Sequence, residues 1–212
     1  GVVRIHDLGS HEGLPFLVME FVDGPSLDDI LSKGCLSPKE AVGLIASLAR
    51  TLHLVHEAGV VHRDLKPGNI MVPATGPPKL ADFGAARGED LEKLTRTGAI
   101  VGTPATMSPE QLLHSSEVDG RADVYSLGAT LFLCLCGEAP FEATSLQELH
   151  GYLTSEDPPK PPSARRGGIS PALDAICLKA VEKDPTLRYA TAGKLADDLE
   201  RLARGEAVSA ST

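Results

Sequence analysis

Apolar positions recur along the chain in short runs and in helical stripes, and the two alternate. Residues 2–8 and 16–22 ("FLVMEFV") are apolar runs separated by "GSHEGLP", whose glycines and proline mark a turn. This pattern predicts an antiparallel strand pair. "DGPSLDDILS" then predicts a loop and a short helix. The first long helix announces itself at "SPKE", with Ser37 as N-cap, Pro38 at the first helical position and Glu40 closing a capping box. Ala41, Leu44, Ile45, Leu48, Leu52 and Val55 follow at helical spacing, and Gly59 is the expected stop. "NIMVP" and "PPKLADF" predict two short strands. Residues 84–107 lack sustained periodicity and are rich in Gly and Thr, which predicts a long loop. Loops of that length inside a compact domain usually carry function. Beyond it the pattern predicts helices at about 108–114, 121–136, 144–154, 171–182 and 191–203, the last with Leu195, Leu199 and Leu202 on its apolar face. A Pro-rich connection, "EDPPKPPSARRGG", interrupts this helical part, and no internal repeat is visible.

Composition narrows the picture. The chain has 212 residues, 42% hydrophobic, enough for one domain with a sizeable core. Its formal net charge of −9 makes it a poor candidate for gripping a nucleic-acid backbone by bulk electrostatics. Cys35, Cys134, Cys136 and Cys177 form no CxxC pair and show no zinc-ligand spacing. They read as buried, reduced thiols of a cytoplasmic domain. The longest apolar stretch, residues 125–137, is too short to span a bilayer and reads as a buried helix, so no membrane contact is expected from this segment. The chain starts at Gly1 inside the strand-like "GVVRIHDLG", which suggests a fragment with its front missing and leaves any anchor beyond it open.

Residues 62–69, "HRDLKPGN", crowd His62, Arg63, Asp64, Lys66 and Asn69 into a stretch unsuited to helix or strand. Further on come "ADFGAAR" (Asp82, Phe83, Gly84), "GTPATMSPE" ending in Ser108-Pro109-Glu110, "DVYSLG" at 123–128, and Arg188 in "KDPTLRY". Five motifs in this order resemble the protein serine/threonine kinases, most closely the eukaryotic-like (Hanks-type) kinases of bacteria, over essentially the whole chain. The resemblance implies an α+β, protein-kinase-like fold: a partial β upper lobe and a nearly complete α-helical lower lobe. Residues 1–24 would be the remnant of the upper lobe and hinge, 25–204 the lower lobe, and 205–212 a C-terminal tail.

It also implies roles. Asp64 would be the catalytic base, Lys66 would neutralise the γ-phosphate, and Asn69 and Asp82 would supply hard oxygen ligands to Mg²⁺ (or Mn²⁺) bound with ATP. Lys66 and the "GTP" at 102–104, with Thr103 near the base, point to Ser/Thr rather than Tyr substrates on proteins. Met19 would be the gatekeeper, backbone groups of Glu20 and Val22 would meet the adenine, Ser26 would reach the ribose, and Met71 would pack under the ring. Arg63 and Arg87 would face a phosphate on Thr95 or Thr97 of the long loop, ordering it through charge-assisted hydrogen bonds. His62 and Phe83 would stack with Ile5. Asp123 would hold the catalytic-loop backbone, and Glu110 and Arg188 would form a buried ion pair. His6, His53 and His56 read as ordinary surface or packing residues. A kinase dimer is a further open partnership.

Departures from the family pattern are specific. No Gly-rich phosphate loop, upper-lobe lysine or helix glutamate lies within the chain, so the segment alone is expected to be weak or inactive. Thr106 stands where an aromatic residue is expected. Two rival readings stay open on sequence: a pseudokinase-type scaffold and a small-molecule phosphotransferase of related fold.

Overall fold

The computed structural model describes residues 1–83, 104–113, 118–141, 143, 146–155 and 157–211. Strands β1 (Ile5–His11) and β2 (Leu14–Met19) pair antiparallel, with Leu8 opposite Leu17 and His11 opposite Leu14. The two apolar runs therefore pair, but the turn between them is tighter than the sequence suggested. Glu12 and Gly13 alone close it, at φ 51° and 80°. A two-residue turn with both residues left-handed matches the twist of paired strands, so flanking polar residues are drawn into the ladder. Much of the hairpin faces solvent, including Ile5, Leu8, Leu14 and Phe16. Ile5 was expected in the column of His62 and Phe83; it is instead 62% exposed on this hairpin.

A second small sheet ties the start of the chain to the middle. Strand β3 (Ile70–Met71) pairs antiparallel with β4 (Lys79–Leu80). Residues 1–3 lie alongside β4: the Val3 N–H donates to the Leu80 carbonyl and the Leu80 N–H to that of Gly1, each at 2.8 Å.

Helix α1 (Leu27–Leu31) is capped by Ser26 in a full capping box with Asp29. Helix α2 (Pro38–Glu57) starts as its sequence predicts. Ser37 accepts from the Glu40 N–H, the Glu40 carboxylate accepts from the Ser37 N–H, and Pro38 leads the first turn. Past its end Gly59 adopts φ 78°, the left-handed conformation that glycine takes at least cost. Helices α3 (Pro109–Leu113), α4 (Gly120–Cys136), α5 (Leu146–Thr154), α6 (Pro171–Ala180) and α7 (Ala192–Ala203) follow.

Helix α4 decides how these helices pack. Ala122 to Phe132 are buried without interruption, followed by Cys134 and Leu135. A helix apolar all round must be wrapped, and α2, α6 and α7 pack against it. Arg50 of α2 adds a polar seam at the edge. Its guanidinium donates to both Glu200 oxygens (2.8 and 2.7 Å) and to Asp197 (2.8 Å) on α7. The end of the chain is also fixed: Val208 is buried, and the Asp198 carboxylate accepts from the Ser209 and Ala210 N–H groups at 2.8 and 3.0 Å.

The four cysteines are free thiols. Cys134 and Cys177 are buried as expected, and burial pushes the Cys134 thiol up to about 12. Cys35, by contrast, is exposed. Among the described residues no helix is long and apolar enough to cross a membrane.

Gly128 lies where α4 packs against the end of α6. A Cβ built there would lie 2.6 Å from Ala180 Cβ and 2.9 Å from Val181 Cγ1. Gly128→Val should therefore overpack this seam and cost about 1–3 kcal/mol in urea unfolding. An unchanged midpoint would show that the two helices can separate freely.

Candidate active site

The loop that leaves α2 carries the polar cluster, and two neighbours, Asp123 and Gln111, hold its backbone. The Asp123 carboxylate, in the first turn of α4, has no exposed surface. It accepts from the His62 N–H (2.7 Å, Oδ2) and the Arg63 N–H (2.8 Å, Oδ1). Arg63 sits at φ 64°, a left-handed conformation unusual for a side chain of this size. Its carbonyl accepts from Gln111 Nε2 at 2.6 Å, so both peptide groups of the strained residue are fixed.

His62 is fully buried. Its ring lies 4.5 Å, centroid to centroid, from Phe83. Nε2 meets the Ala81 carbonyl at 3.0 Å, while Nδ1 accepts from the Asp64 N–H at 3.3 Å. That pair of contacts selects the neutral tautomer protonated on Nε2. Burial holds the imidazole below its usual range, against the pull of the Asp123 charge. His62 is thus the core spacer between the loop and the segment that carries Asp82.

Next along the chain, the carboxylate of Asp64 meets Lys66 Nζ at 2.9 Å and Asn69 Nδ2 at 3.1 Å. Asn69 Nδ2 also donates to the Asp64 carbonyl at 2.8 Å. With its nitrogen committed to Asp64, Asn69 keeps its side-chain oxygen as the end able to meet a cation. The Ala81 N–H donates to the Asn69 carbonyl (2.9 Å), so β4 delivers Asp82 beside the loop. Asp82 adopts φ 53°, the second left-handed residue beside this cluster after Arg63. Asp64, Lys66 and Asn69 are therefore brought together, with Asp82 one residue beyond the Ala81 N–H that is bonded to Asn69.

The segment that follows β2 is tied to β3 and β4. The Glu20 N–H donates to the Arg4 carbonyl at 2.8 Å. The Glu20 carboxylate pairs with Lys79 of β4, and that contact, with the Arg4 N–H, holds it below the usual carboxylate range. Gly24 passes so close to β3 that a Cβ would lie 2.3 Å from the Val72 carbonyl oxygen. The Val72 N–H donates to Pro25 (2.9 Å), and Ser26 bridges to Met71. Met19 at the end of β2 is 42% exposed, Val22 is half-buried, and Met71 is half-buried on β3. The Ser26 hydroxyl, expected to reach a ribose, is engaged by Asp29 Oδ2 at 2.6 Å as the cap of α1. Gly84, Arg87, Thr95, Thr97 and Thr103 lie outside the described residues.

The protein kinase domain family matches residues 1–198 of the chain. The chain belongs to the protein kinase family. It is 44% identical to the serine/threonine-protein kinase PknB of Mycobacterium tuberculosis (strain ATCC 25618 / H37Rv), over 97% of this chain and 34% of that protein. PknB of Mycolicibacterium smegmatis is 41% identical over 99% of this chain and 34% of its own length. PknD of M. tuberculosis is 40% identical over 92% of this chain and 29% of its own. The chain thus spans about a third of the length of these curated relatives.

The donor chemistry of this kinase lobe fits Mg²⁺ carried by a nucleotide. Among the described residues no group of three or more His, Cys, Asp or Glu side chains converges as a metal cage. Mg²⁺ is commonly held by one or two protein oxygens plus substrate phosphates and water, and the Asn69 amide and Asp82 carboxylate offer that set.

The expected ion pair closes the far side of the lobe. Arg188 meets Glu110 at 2.6 and 2.8 Å, and its guanidinium also donates to the carbonyls of Arg121, Glu182 and Lys183. Thr106, in the position where an aromatic residue was expected, is buried, and its carbonyl accepts from Ser126 Oγ at 2.7 Å.

The sequence reading passed over two residues of this site, Gln111 and His56. His56 is no ordinary packing residue: its Nε2 lies 2.8 Å from Asp123 Oδ2. A signal for it existed, since Ile45, Ala49, Leu52 and His56 form one stripe of α2 at helical spacing. Gln111 left no comparable signal, because its partner is a main-chain carbonyl 48 residues away.

Removing Arg188 strands the Glu110 carboxylate and three carbonyls. Arg188→Met should destabilise the lobe by about 3–5 kcal/mol in thermal or urea unfolding. A loss under about 1 kcal/mol would assign the pair to the weak, solvent-screened class instead.

Proposed function

We propose that the protein containing this chain transfers the γ-phosphate of ATP to Ser or Thr hydroxyls of other proteins, and that this chain supplies the lower half of the transfer site. One observation carries the reading: the Asp64 carboxylate lies between Lys66 Nζ (2.9 Å) and Asn69 Nδ2 (3.1 Å), at the end of a clamped and strained backbone. The serine/threonine-protein kinases that it matches over most of its length support the same activity.

The roles follow from charge and reach. Phosphoryl transfer asks for alignment and charge neutralisation more than covalent chemistry. Asp64 accepts a hydrogen bond from the attacking hydroxyl and takes its proton. Lys66, already beside Asp64, places a cation where the transferred group passes. Asn69 and Asp82 hold the metal through oxygen. Bound Mg²⁺ neutralises the phosphate oxygens and fixes their geometry. The main-chain groups of Glu20 and Val22 meet the adenine edge, with Met19 and Met71 as its apolar walls. Ser26 contributes through the helix that it caps, and any ribose contact would require its hydroxyl to leave Asp29.

Regulation by phosphate on Thr95 or Thr97 belongs to the same proposal. Arg63 is fixed through both of its peptide groups, so its guanidinium is carried on a rigid stem. With Arg87 it would form a phosphate receptor, with Thr103 between the loop and the base.

In the complete protein, Asp64→Asn should lower phosphate transfer from radiolabelled ATP to a protein acceptor by about 10²–10⁴-fold. Equal rates in variant and wild type would remove Asp64 as the base, and transfer to small alcohols alone would redirect the substrate class. Thr95→Ala combined with Thr97→Ala should reduce the activity of the complete protein severalfold and abolish the corresponding phosphopeptides. Unchanged transfer by the double variant would rule the switch out.

A further inference from the structure

Three of the four cysteines meet at the C-terminal end of α4. Cys134 and Cys136 lie in its last turn, and Cys35 lies in the loop that leads into α2. The 62–69 loop leaves the other end of α2, about 30 Å away along that 20-residue helix. The Leu36 N–H donates to the Cys134 carbonyl at 2.8 Å. Arg166 Nη1 donates to the Leu36 and Leu135 carbonyls, both at 2.7 Å, so the loop is fastened across the helix end. In a trans peptide the Leu36 N–H points to the same side as the Cα of Cys35. Its bond to the Cys134 carbonyl therefore sets the two cysteine Cα atoms roughly 6 Å apart, inside the range that disulfides bridge.

We propose that Cys35 and Cys134 form a thiol-oxidation site for hydroperoxides such as H₂O₂, closed by a disulfide that fastens the entry of α2 to the end of α4. The chemistry runs in two steps. The Cys35 thiolate attacks the peroxide: an S–O bond forms, the O–O bond breaks, and hydroxide leaves and is protonated to water. Cys35 is oxidised to a sulfenic acid and the peroxide is reduced. The Cys134 sulfur then attacks the Cys35 sulfur. An S–S bond forms, the S–O bond breaks, and the Cys134 proton departs with the hydroxide as a second water.

The two thiols differ in the way this order of events requires. Cys35 is exposed and open to a dissolved oxidant, whereas Cys134 has no exposed surface. Burial, and next the neighbouring Cys35, push the Cys134 thiol up to about 12, so it does not react with peroxide by itself. The Cys35 side chain also points toward the right face of α4. Its Sγ lies 3.3 Å from where a Cβ on Gly137 would sit, and Gly137, three residues after Cys134, shares that face. Glycine there leaves the sulfur its room. Cys136 is turned elsewhere, with its thiol 3.7 Å from the Pro162 carbonyl. α2 and α4 pack against each other, so a bridge at this end would join two helices already in contact.

The test is covalent and independent of phosphate transfer, so the kinase reading and this one fail separately. The complete protein is reduced, treated with a small excess of H₂O₂, blocked with iodoacetamide before unfolding and mapped without reductant. A peptide pair joining Cys35 to Cys134 should appear and should vanish with dithiothreitol. Before oxidation, iodoacetamide should label Cys35 and spare Cys134. Cys35→Ser should keep Cys134 as a thiol through the same treatment. In Cys134→Ala, Cys35 should persist as a sulfenic acid that dimedone traps. A bridge closing so long a loop restricts the unfolded chain, so oxidation should raise the urea midpoint of wild type and leave that of Cys35→Ser unmoved. A Cys35 bridge to Cys136 or to a second copy, or a Cys134 thiol recovered intact from oxidised wild type, would overturn the assignment. A midpoint that does not rise once the bridge has formed would overturn the fastening of the two helices.

Discussion

Asp123 lies wholly inside the lobe, and its two oxygens receive the N–H groups of two consecutive loop residues. A carboxylate in that setting is costly unless every lone pair is used, so the groups around it are fixed as a unit. The loop is thereby referenced to α4, the helix on which α2, α6 and α7 are assembled. Whatever rigidity the core possesses is handed to Asp64 through two peptide groups. The position of a charged side chain near the surface is thus determined by an interaction that no solvent reaches.

A second polar system extends this order toward the other end of the lobe. Gln111 of α3 grips the Arg63 carbonyl and also accepts from the Ser108 N–H at 3.1 Å, so the start of α3 is bonded to the loop at 62–69. One residue earlier, Glu110 anchors α3 to Arg188, whose guanidinium also faces the Tyr125 ring at 5.0 Å. Lys183 then donates to the carbonyls of Tyr152, Ser155 and Asp157, and so ties down the end of α5. Burial holds this ammonium below its usual range, the expected cost of committing it to carbonyls. These contacts are directional and specify one arrangement, whereas the apolar core supplies most of the driving force.

Local rules made much of this visible in the sequence. The capping box at Ser37, the left-handed Gly59 and the uninterrupted burial of α4 were each written in a few adjacent residues. The motif residues were legible as well, because Asp123, Glu110 and Arg188 stand in a recognisable order. The hairpin turn was misjudged, since "GSHEGLP" offers several turn formers and only strand twist selects Glu12-Gly13. Long-range partners of main-chain groups were the hardest to read. Gln111 to the Arg63 carbonyl, and Glu20 to Lys79 across 59 residues, depend on where the backbone goes, and no spacing encodes that.

Backbone strain shows why the site needs so much support. Arg63 and Asp82 both occupy left-handed conformations at φ 64° and 53°, which cost a residue with a Cβ about 1–2 kcal/mol each. Glycine would remove that cost, as it does at position 59, but glycine has no guanidinium and no carboxylate. Each strained residue is accordingly flanked by fixed groups. Arg63 lies between Asp123 and Gln111, and Asp82 lies between Ala81, bonded to Asn69 and His62, and Phe83, whose ring lies tilted against that of His62. His62 touches both sides of this arrangement, so it couples the two turns: neither Arg63 nor Asp82 can relax without disturbing the ring between them. That coupling explains why a neutral, buried imidazole occupies the junction. A charged ring would need a counter-ion there, and an aliphatic one could neither bond the Ala81 carbonyl nor accept the Asp64 N–H.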